Sequence, residues 1–310
     1  MESIFITDVS PRDGLQNQSL HVPTTAKLEL IRRLSAAGVA SVEATSFVSP
    51  KAVPQMADAS ELLQQLVLVL PNLRTSVLVP NLKGLERACN AGAKEIAVVL
   101  SATQTMNQKN INMSLDAAVD ASEQTLHAAL KQGLCTRAYI AVAFECPFEG
   151  PTPIERIVEL SRRMLVAGAQ EIVIADTIGA AAPAAVKERL STLAAVVPIA
   201  QLAVHFHDTR GMAVANAWAA LEVGVRRFDA SAGGIGGCPF TPGAAGNLAT
   251  EDLVLMAQSC GFETGIDLDR LLAVVDFAEV TLQRSLGGRA SSWLRRQREK
   301  RGADFQVLNS

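Results

Sequence analysis

Ala167-Gly168-Ala169-Gln170-Glu171-Ile172-Val173-Ile174-Ala175-Asp176 closes an amphipathic stretch on a glycine, turns, and enters a short apolar run that ends in a carboxylate. A glycine just past a helix takes the left-handed conformation that stops it. A bounded apolar run of this length fits a strand buried on both faces. The same step recurs at Ala37-Gly38-Val39, Ala91-Gly92-Ala93 and Val223-Gly224-Val225. Working outward from it, strands are expected at 3–9, 40–45, 74–79, 94–101, 136–143, 170–176, 201–207 and 226–230. Helical patterns lie between them at 24–37, 81–91, 114–132, 153–167, 183–196 and 212–223. Strict alternation implies a parallel sheet, and eight β/α units imply closure into a single (β/α)8 TIM barrel, an α/β fold. No GxGxxG follows the first strand, which argues against an open dinucleotide-binding sheet. Additional helices near 248–260 and 267–283 complete a barrel domain read as 1–283, and residues 284–310 form a basic tail read as a solvated terminal helix.

Composition agrees with that fold and narrows the function. The 310 residues are 49% hydrophobic and only 4% aromatic, with a net charge of −3. This balance gives no reason to expect nucleic acid or an anionic membrane as partner. Cys89, Cys135, Cys146, Cys238 and Cys260 have no paired spacing, so neither disulfides nor a thiolate zinc site is indicated. No apolar run reaches the roughly 20 residues needed to span a bilayer, and the N-terminus is acidic where a presequence is basic. A cytoplasmic location is the expectation.

Barrel enzymes build their sites at the C-terminal ends of the strands, and the unusual residues fall there. His205-Phe206-His207-Asp208 closes the seventh strand; residues two apart share a face, so both imidazoles point the same way. Asp13 follows the first strand, which neighbours the eighth in a closed barrel, and Asn247 lies in the loop after the eighth. One carboxylate, two imidazoles and one amide oxygen make an O/N donor set suited to Mg2+ or Mn2+. Glu43 ends the second strand opposite Arg12, placed to orient that guanidinium. Asp176 ends the sixth strand in the same manner. Gly233-Gly234-Ile235-Gly236-Gly237-Cys238-Pro239 reads as a mobile loop carrying an accessible thiol.

Three groups of residues complete the pattern. They are Pro11-Arg12-Asp13-Gly14-Leu15-Gln16-Asn17, Thr45-Ser46-Phe47-Val48-Ser49-Pro50-Lys51, and Gly246-Asn247-Leu248-Ala249-Thr250-Glu251-Asp252. With the His-x-His and glycine-loop motifs, these resemble the 3-hydroxy-3-methylglutaryl-CoA lyase family of barrel metallolyases from about Ile6 to Leu282. The resemblance implies that Asp13, His205, His207 and Asn247 hold the cation. It implies that Arg12 stabilises an enolate oxygen, Glu43 holds Arg12, and Cys238 is the loop thiol over the substrate. Asp13, Asp176 and His205 are the alternatives for the proton-transfer base, with Gln16 and Ser46 as substrate contacts. The implied reaction is a retro-Claisen cleavage of an acyl-CoA, and the implied assembly a homo-oligomer.

The chain departs from the family at Val173-Ile174-Ala175, where lyases carry Ser-Leu-Gly. It departs again at Ala44, in place of a threonine, and at Phe240-Thr241-Pro242. Lost hydroxyls at Ala44 and Val173 are expected to remove contacts to a substrate carboxylate, which keeps citramalyl-CoA open as substrate. A Claisen synthase is disfavoured by the short C-terminal region. A His-x-His hydrolase barrel is disfavoured because the pair is not on strand one. A non-catalytic scaffold gives no reason for ligand-type residues on three strands at once.

Overall fold

The computed structural model describes residues 2–237 and 246–308, with side chains described to residue 300. Eight strands form the wall: β1 Phe5–Asp8, β2 Ser41–Ser46, β3 Arg74–Leu78, β4 Glu95–Ser101, β5 Cys135–Ala141, β6 Glu171–Asp176, β7 Leu202–Phe206 and β8 Arg227–Ala230. Each pairs in parallel with its sequence neighbours, and β8 returns to β1, closing the barrel. The expected (β/α)8 architecture is what the chain adopts.

The helices run α1 Thr24–Ala36, α2 Ala59–Val69, α3 Leu82–Asn90, α4 Gln104–Ile111, α5 Leu115–Lys131, α6 Ile154–Ala167, α7 Pro183–Ala194, α8 Ala213–Val223, α9 Thr250–Ser259, α10 Leu268–Leu282 and α11 Ser291–Leu308. Helix α2 completes the second β/α unit, between β2 and β3; Leu62, Leu63 and Leu66 bury one of its faces against the wall. None of the described helices is long and apolar enough to cross a membrane.

All four recurrent glycines have positive φ, and at two of them a Cβ would run into a neighbour as packed. A Cβ on Gly168 would lie 2.0 Å from Leu130 Cδ1, and one on Gly38 would lie 2.1 Å from the Gly265 carbonyl oxygen. The motif is therefore both a helix stop and a close-approach point.

Strand alternation divides the core in two. Outward side chains meet the helices in one large apolar layer, while Ala97, Tyr139, Val173 and Ala203 stack inside the barrel. The basic tail is tied down rather than free. Glu251 and Asp252, at the start of α9, accept from the amides of Gly288, Arg289 and Ala290. On α11, Arg295 and Arg298 pair with Asp276 and Glu279 of α10.

Candidate active site

The chain leaves β1 through a π-helical turn, Ser10–Gly14, begun by Pro11. Asp8 fixes that turn: buried at the end of β1, it accepts from Ser10, from the Ala232 amide at 3.0 Å and from Thr250 Oγ1 at 2.7 Å. The turn carries Arg12 and Asp13 into the barrel mouth. On β2, a register shift after Glu43 accompanies the inward placement of its carboxylate. Arg12 donates through Nε to Glu43 Oε2 at 2.7 Å, and through Nη1 to Asp13 Oδ1 at 2.7 Å. The expected ion pair is therefore present, with Asp13 as a second partner.

Across the mouth, His205 is the last but one residue of β7 and His207 directly follows the strand. A single β-bridge between His207 and Asn247, closed by Leu248 N donating to Phe206 O at 2.9 Å, brings the amide beside the imidazoles. Potential ligand atoms of Asp13, His205 and His207 lie within 4.8 Å of one another. Asn247 Nδ2 donates to Asp13 Oδ2 at 2.8 Å and to Ile235 O at 2.9 Å. Its Oδ1 is buried with no partner among the described residues.

Burial opposes the charge on Asp13, but Arg12, then His205 and His207, hold its pKa down at about 2. Burial, then the neighbouring His205, lowers His207 to about 4, so it is neutral at physiological pH. Burial also opposes charge on His205, yet the hydrogen bond and charge of Asp229 outweigh it and the pKa is raised.

These groups fit a divalent cation. His205 Nε2 and His207 Nε2 face each other at 3.1 Å. Ligands about 2.1 Å from a cation and at right angles to one another stand roughly 3 Å apart. The ionised Asp13 carboxylate would add an anionic donor, and the orphaned Asn247 amide oxygen is a neutral donor in the same residue group.

A cleft of about 590 Å3 opens over the cluster, lined in part by Arg12, Asp13, Gln16, Tyr139, His205 and His207. Gln16 thus stands where a substrate contact is expected. Ser46 is fully buried, its hydroxyl has no partner among the described residues, and it is not on the cleft wall. Asp176 is not brought to the cluster: the adjacent Ala175 and Thr177 line the cleft, while both Asp176 oxygens accept loop amides, from Ala180 at 2.8 Å and Ala181 at 3.0 Å. Cys238 lies outside the described residues, although Gly237 before it lines the cleft. The two apolar replacements do not act as expected. Ala44 packs outward against the helices, and Val173 lies in the interior layer with Tyr139, off the cleft wall.

Three polar residues at the site escape a reading from sequence. Asp229 on β8 accepts from Arg137 Nη2 at 2.8 Å and Tyr139 OH at 2.6 Å, and lies 3.3 Å from His205 Nδ1. Their signals are present but faint. Asp229 is an acid between Phe228 and Ala230 on the strand next to the histidines, and Tyr139 is the chain's single tyrosine.

Known proteins agree with this geometry. Mitochondrial hydroxymethylglutaryl-CoA lyase of Bos taurus is 44% identical over 283 residues, covering 91% of this chain and 87% of the relative. The crystal structure of the Bacillus subtilis HMG-CoA lyase superposes with a TM-score of 0.92 at 40% identity, over 95% of this chain and 99% of that one. An HMG-CoA lyase from Acinetobacter baumannii, solved in complex with coenzyme A and 3-methylmalate, gives a TM-score of 0.89 at 39% identity, with 94% of each chain covered. The HMGL-like family model matches residues 3–278, nearly the whole barrel, and the chain belongs to that family.

Proposed function

We propose that the chain is a divalent-cation-dependent carbon–carbon lyase that cleaves 3-hydroxy-3-methylglutaryl-CoA into acetyl-CoA and acetoacetate. The observation that carries this is the grouping of Asp13, His205 and His207 ligand atoms within 4.8 Å of one another, with Asn247 hydrogen-bonded to Asp13, beside the Arg12–Glu43 pair and in a cleft roomy enough for an acyl group. Asp13, His205, His207 and Asn247 would hold a Mg2+ or Mn2+ ion there, which would supply Lewis acidity to the substrate's hydroxyl.

The remaining work falls to side chains. Arg12, gripped on two sides, presents a fixed guanidinium to the thioester oxygen, on which negative charge collects as the C2–C3 bond breaks. Such preorganised donors are commonly the largest single contribution to the rate. Asp176 has both oxygens committed to loop amides, and His205 faces Asp229 and His207 with its two nitrogens. Asp13 also has both oxygens engaged, by Arg12 and Asn247, but unlike Asp176 it lines the cleft, and that places it to accept the hydroxyl proton, directly or through a water. Cys238 delivers a proton to C2 of the enolate, releasing acetyl-CoA. Alkylating Cys238 is expected to lower turnover far more than cation affinity.

A second reading is a lyase for a shorter hydroxydiacid thioester such as citramalyl-CoA; the Acinetobacter relative was solved with 3-methylmalate, a hydroxydiacid one backbone carbon shorter than hydroxymethylglutarate, although its alcohol is secondary. Product analysis separates the two: the Mn2+-loaded protein and each thioester should give acetoacetate or pyruvate beside acetyl-CoA, and neither after chelation. Absence of both products with metal present would refute the lyase assignment.

A further inference from the structure

Metal-ligating histidines are seldom left to choose their own tautomer; the other ring nitrogen is normally held by a carboxylate or carbonyl. The two imidazoles of this cluster differ in that respect. His207 Nδ1 is buried with no partner among the described residues, whereas His205 Nδ1 faces Asp229. We propose that Asp229 is a positioning residue that places the His205 proton on Nδ1, so that Nε2 offers its lone pair to the cation, and that Arg137 and Tyr139 hold Asp229 for this task. The proposal rests on the cluster being a cation site.

Register and hydrogen-bond inventory carry it. Asp229 on β8 pairs directly with His205 on β7, so the two side chains enter the barrel side by side. The carboxylate has only acceptors to offer. Oδ1 takes Arg137 Nη2, and Oδ2 takes the Tyr139 hydroxyl. The ring nitrogen that approaches Oδ2 must therefore bring the hydrogen, so in the neutral ring Nε2 is unprotonated toward His207. With the opposite tautomer, an N–H would point into the cluster and Asp229 would face a lone pair.

The supporting groups are equally specific. A buried carboxylate without a counter-charge is costly. Arg137 supplies that charge and is itself held by Glu171 Oε1 at 2.6 Å. Tyr139 acts twice: its hydroxyl holds Asp229, and its ring packs edge-on against His205, with centroids 6.1 Å apart and planes at 82°. His205 is thus preset from two directions, while the His207 side chain has neither support.

The test is Asp229→Asn, with Mn2+ as probe on the full-length metal-free protein. Disrupting a partner of this kind typically costs about 10–100-fold in metal affinity, read by titration calorimetry or by paramagnetic resonance of free Mn2+. At saturating Mn2+, kcat should recover most of its value, a split that general misfolding does not produce. Nitrogen-15 histidine spectra of metal-free wild type should show His205 protonated at Nδ1. Tyr139→Phe keeps the carboxylate and should lose only about 3-fold in affinity, well below the Asp229 effect. Should Asp229→Asn fail to fold, the wild-type tautomer and the Tyr139→Phe affinity decide the matter. A neutral wild-type His205 protonated at Nε2 and bare at Nδ1, or a folded Asp229→Asn with undiminished Mn2+ affinity, would overturn the proposal. Wild-type protein that binds no Mn2+ would instead overturn the cation site beneath it.

Discussion

The two ends of this barrel treat buried charge in opposite ways. Toward the N-terminal end, Glu95 holds Arg74 with both oxygens, at 2.7 and 2.9 Å, and Glu171 bridges Arg137 and Arg227. No buried side-chain atom of these five residues lacks a partner. At the C-terminal end, Glu43 Oε1, Ser46 Oγ, His207 Nδ1 and Asn247 Oδ1 are all buried without one among the described residues. A buried polar atom left unpaired costs about 1–3 kcal/mol, so the mouth carries instability that the floor does not. Side chains that serve stability satisfy one another; side chains that serve a ligand keep valence in reserve. The division matches the general rule that barrel floors are for stability and barrel mouths for chemistry.

The sharpest way to break this comparison is at the mouth. Asp13→Ala removes the only carboxylate of the cluster, and both Mn2+ binding and thioester cleavage should become undetectable while the fold persists. Arg12→Gln comes next. It should lower kcat/KM by about 10²–10³, the usual cost of losing one donor to a developing oxyanion, while the Mn2+ dissociation constant changes little. Measuring the two quantities on one preparation decides the point. Equal losses in both would mean that Arg12 acts by holding Asp13 through its Nη1 contact, not by meeting the substrate.

The mouth is legible in sequence because its residues are out of place there. Two histidines two apart at a strand end, an Arg-Asp pair after the first strand and an acid closing the second have no packing reason to exist, and barrel closure brings them together. The alternation of apolar runs and glycine stops likewise reveals the wall. The floor, and Asp229 between it and the mouth, are far less legible: Arg137, Glu171 and Asp229 are ordinary charged residues in strands, and only the register turns them inward. Asp176 shows the converse error. Its position at a strand end looks the same as that of Glu43, yet strand alternation sends its carboxylate to the loop amides of Ala180 and Ala181. The register shift that follows Glu43 in β2 is invisible in the amino-acid pattern.

At the floor the comparison predicts the reverse outcome. Glu95→Gln leaves Arg74 with a neutral partner in place of a bidentate ion pair, and hydrogen bonds to charged groups contribute about 1.5–3 kcal/mol. Thermal unfolding should begin several degrees lower, whereas kcat, KM and Mn2+ affinity of the folded protein should match wild type. A changed kcat at unchanged melting temperature would show that the floor is coupled to the mouth, and the clean division would fail.

The smallest effect concerns Asp176, which belongs to neither group. Burial lifts its pKa from 3.8 to about 6, although the Ala181 and Ala180 amides pull the other way. Because the folded value exceeds the ordinary one, the native state takes up the proton first. Wild type therefore gains stability as pH falls through 6 toward 3.8. Above that window it bears the whole cost of the buried charge, at most about 3 kcal/mol. Asp176→Asn abolishes this slope and adds a pH-independent loss, since one loop amide forfeits its acceptor. Urea unfolding of both proteins at about pH 5 and about pH 7.5 should find the variant comparatively more stable at the higher pH. A stability difference between the two proteins that stays constant across that range would mean the carboxylate is solvated or paired in solution. It would then be free to swing toward the mouth, and the separation between the loop side of β6 and the catalytic side would need redrawing.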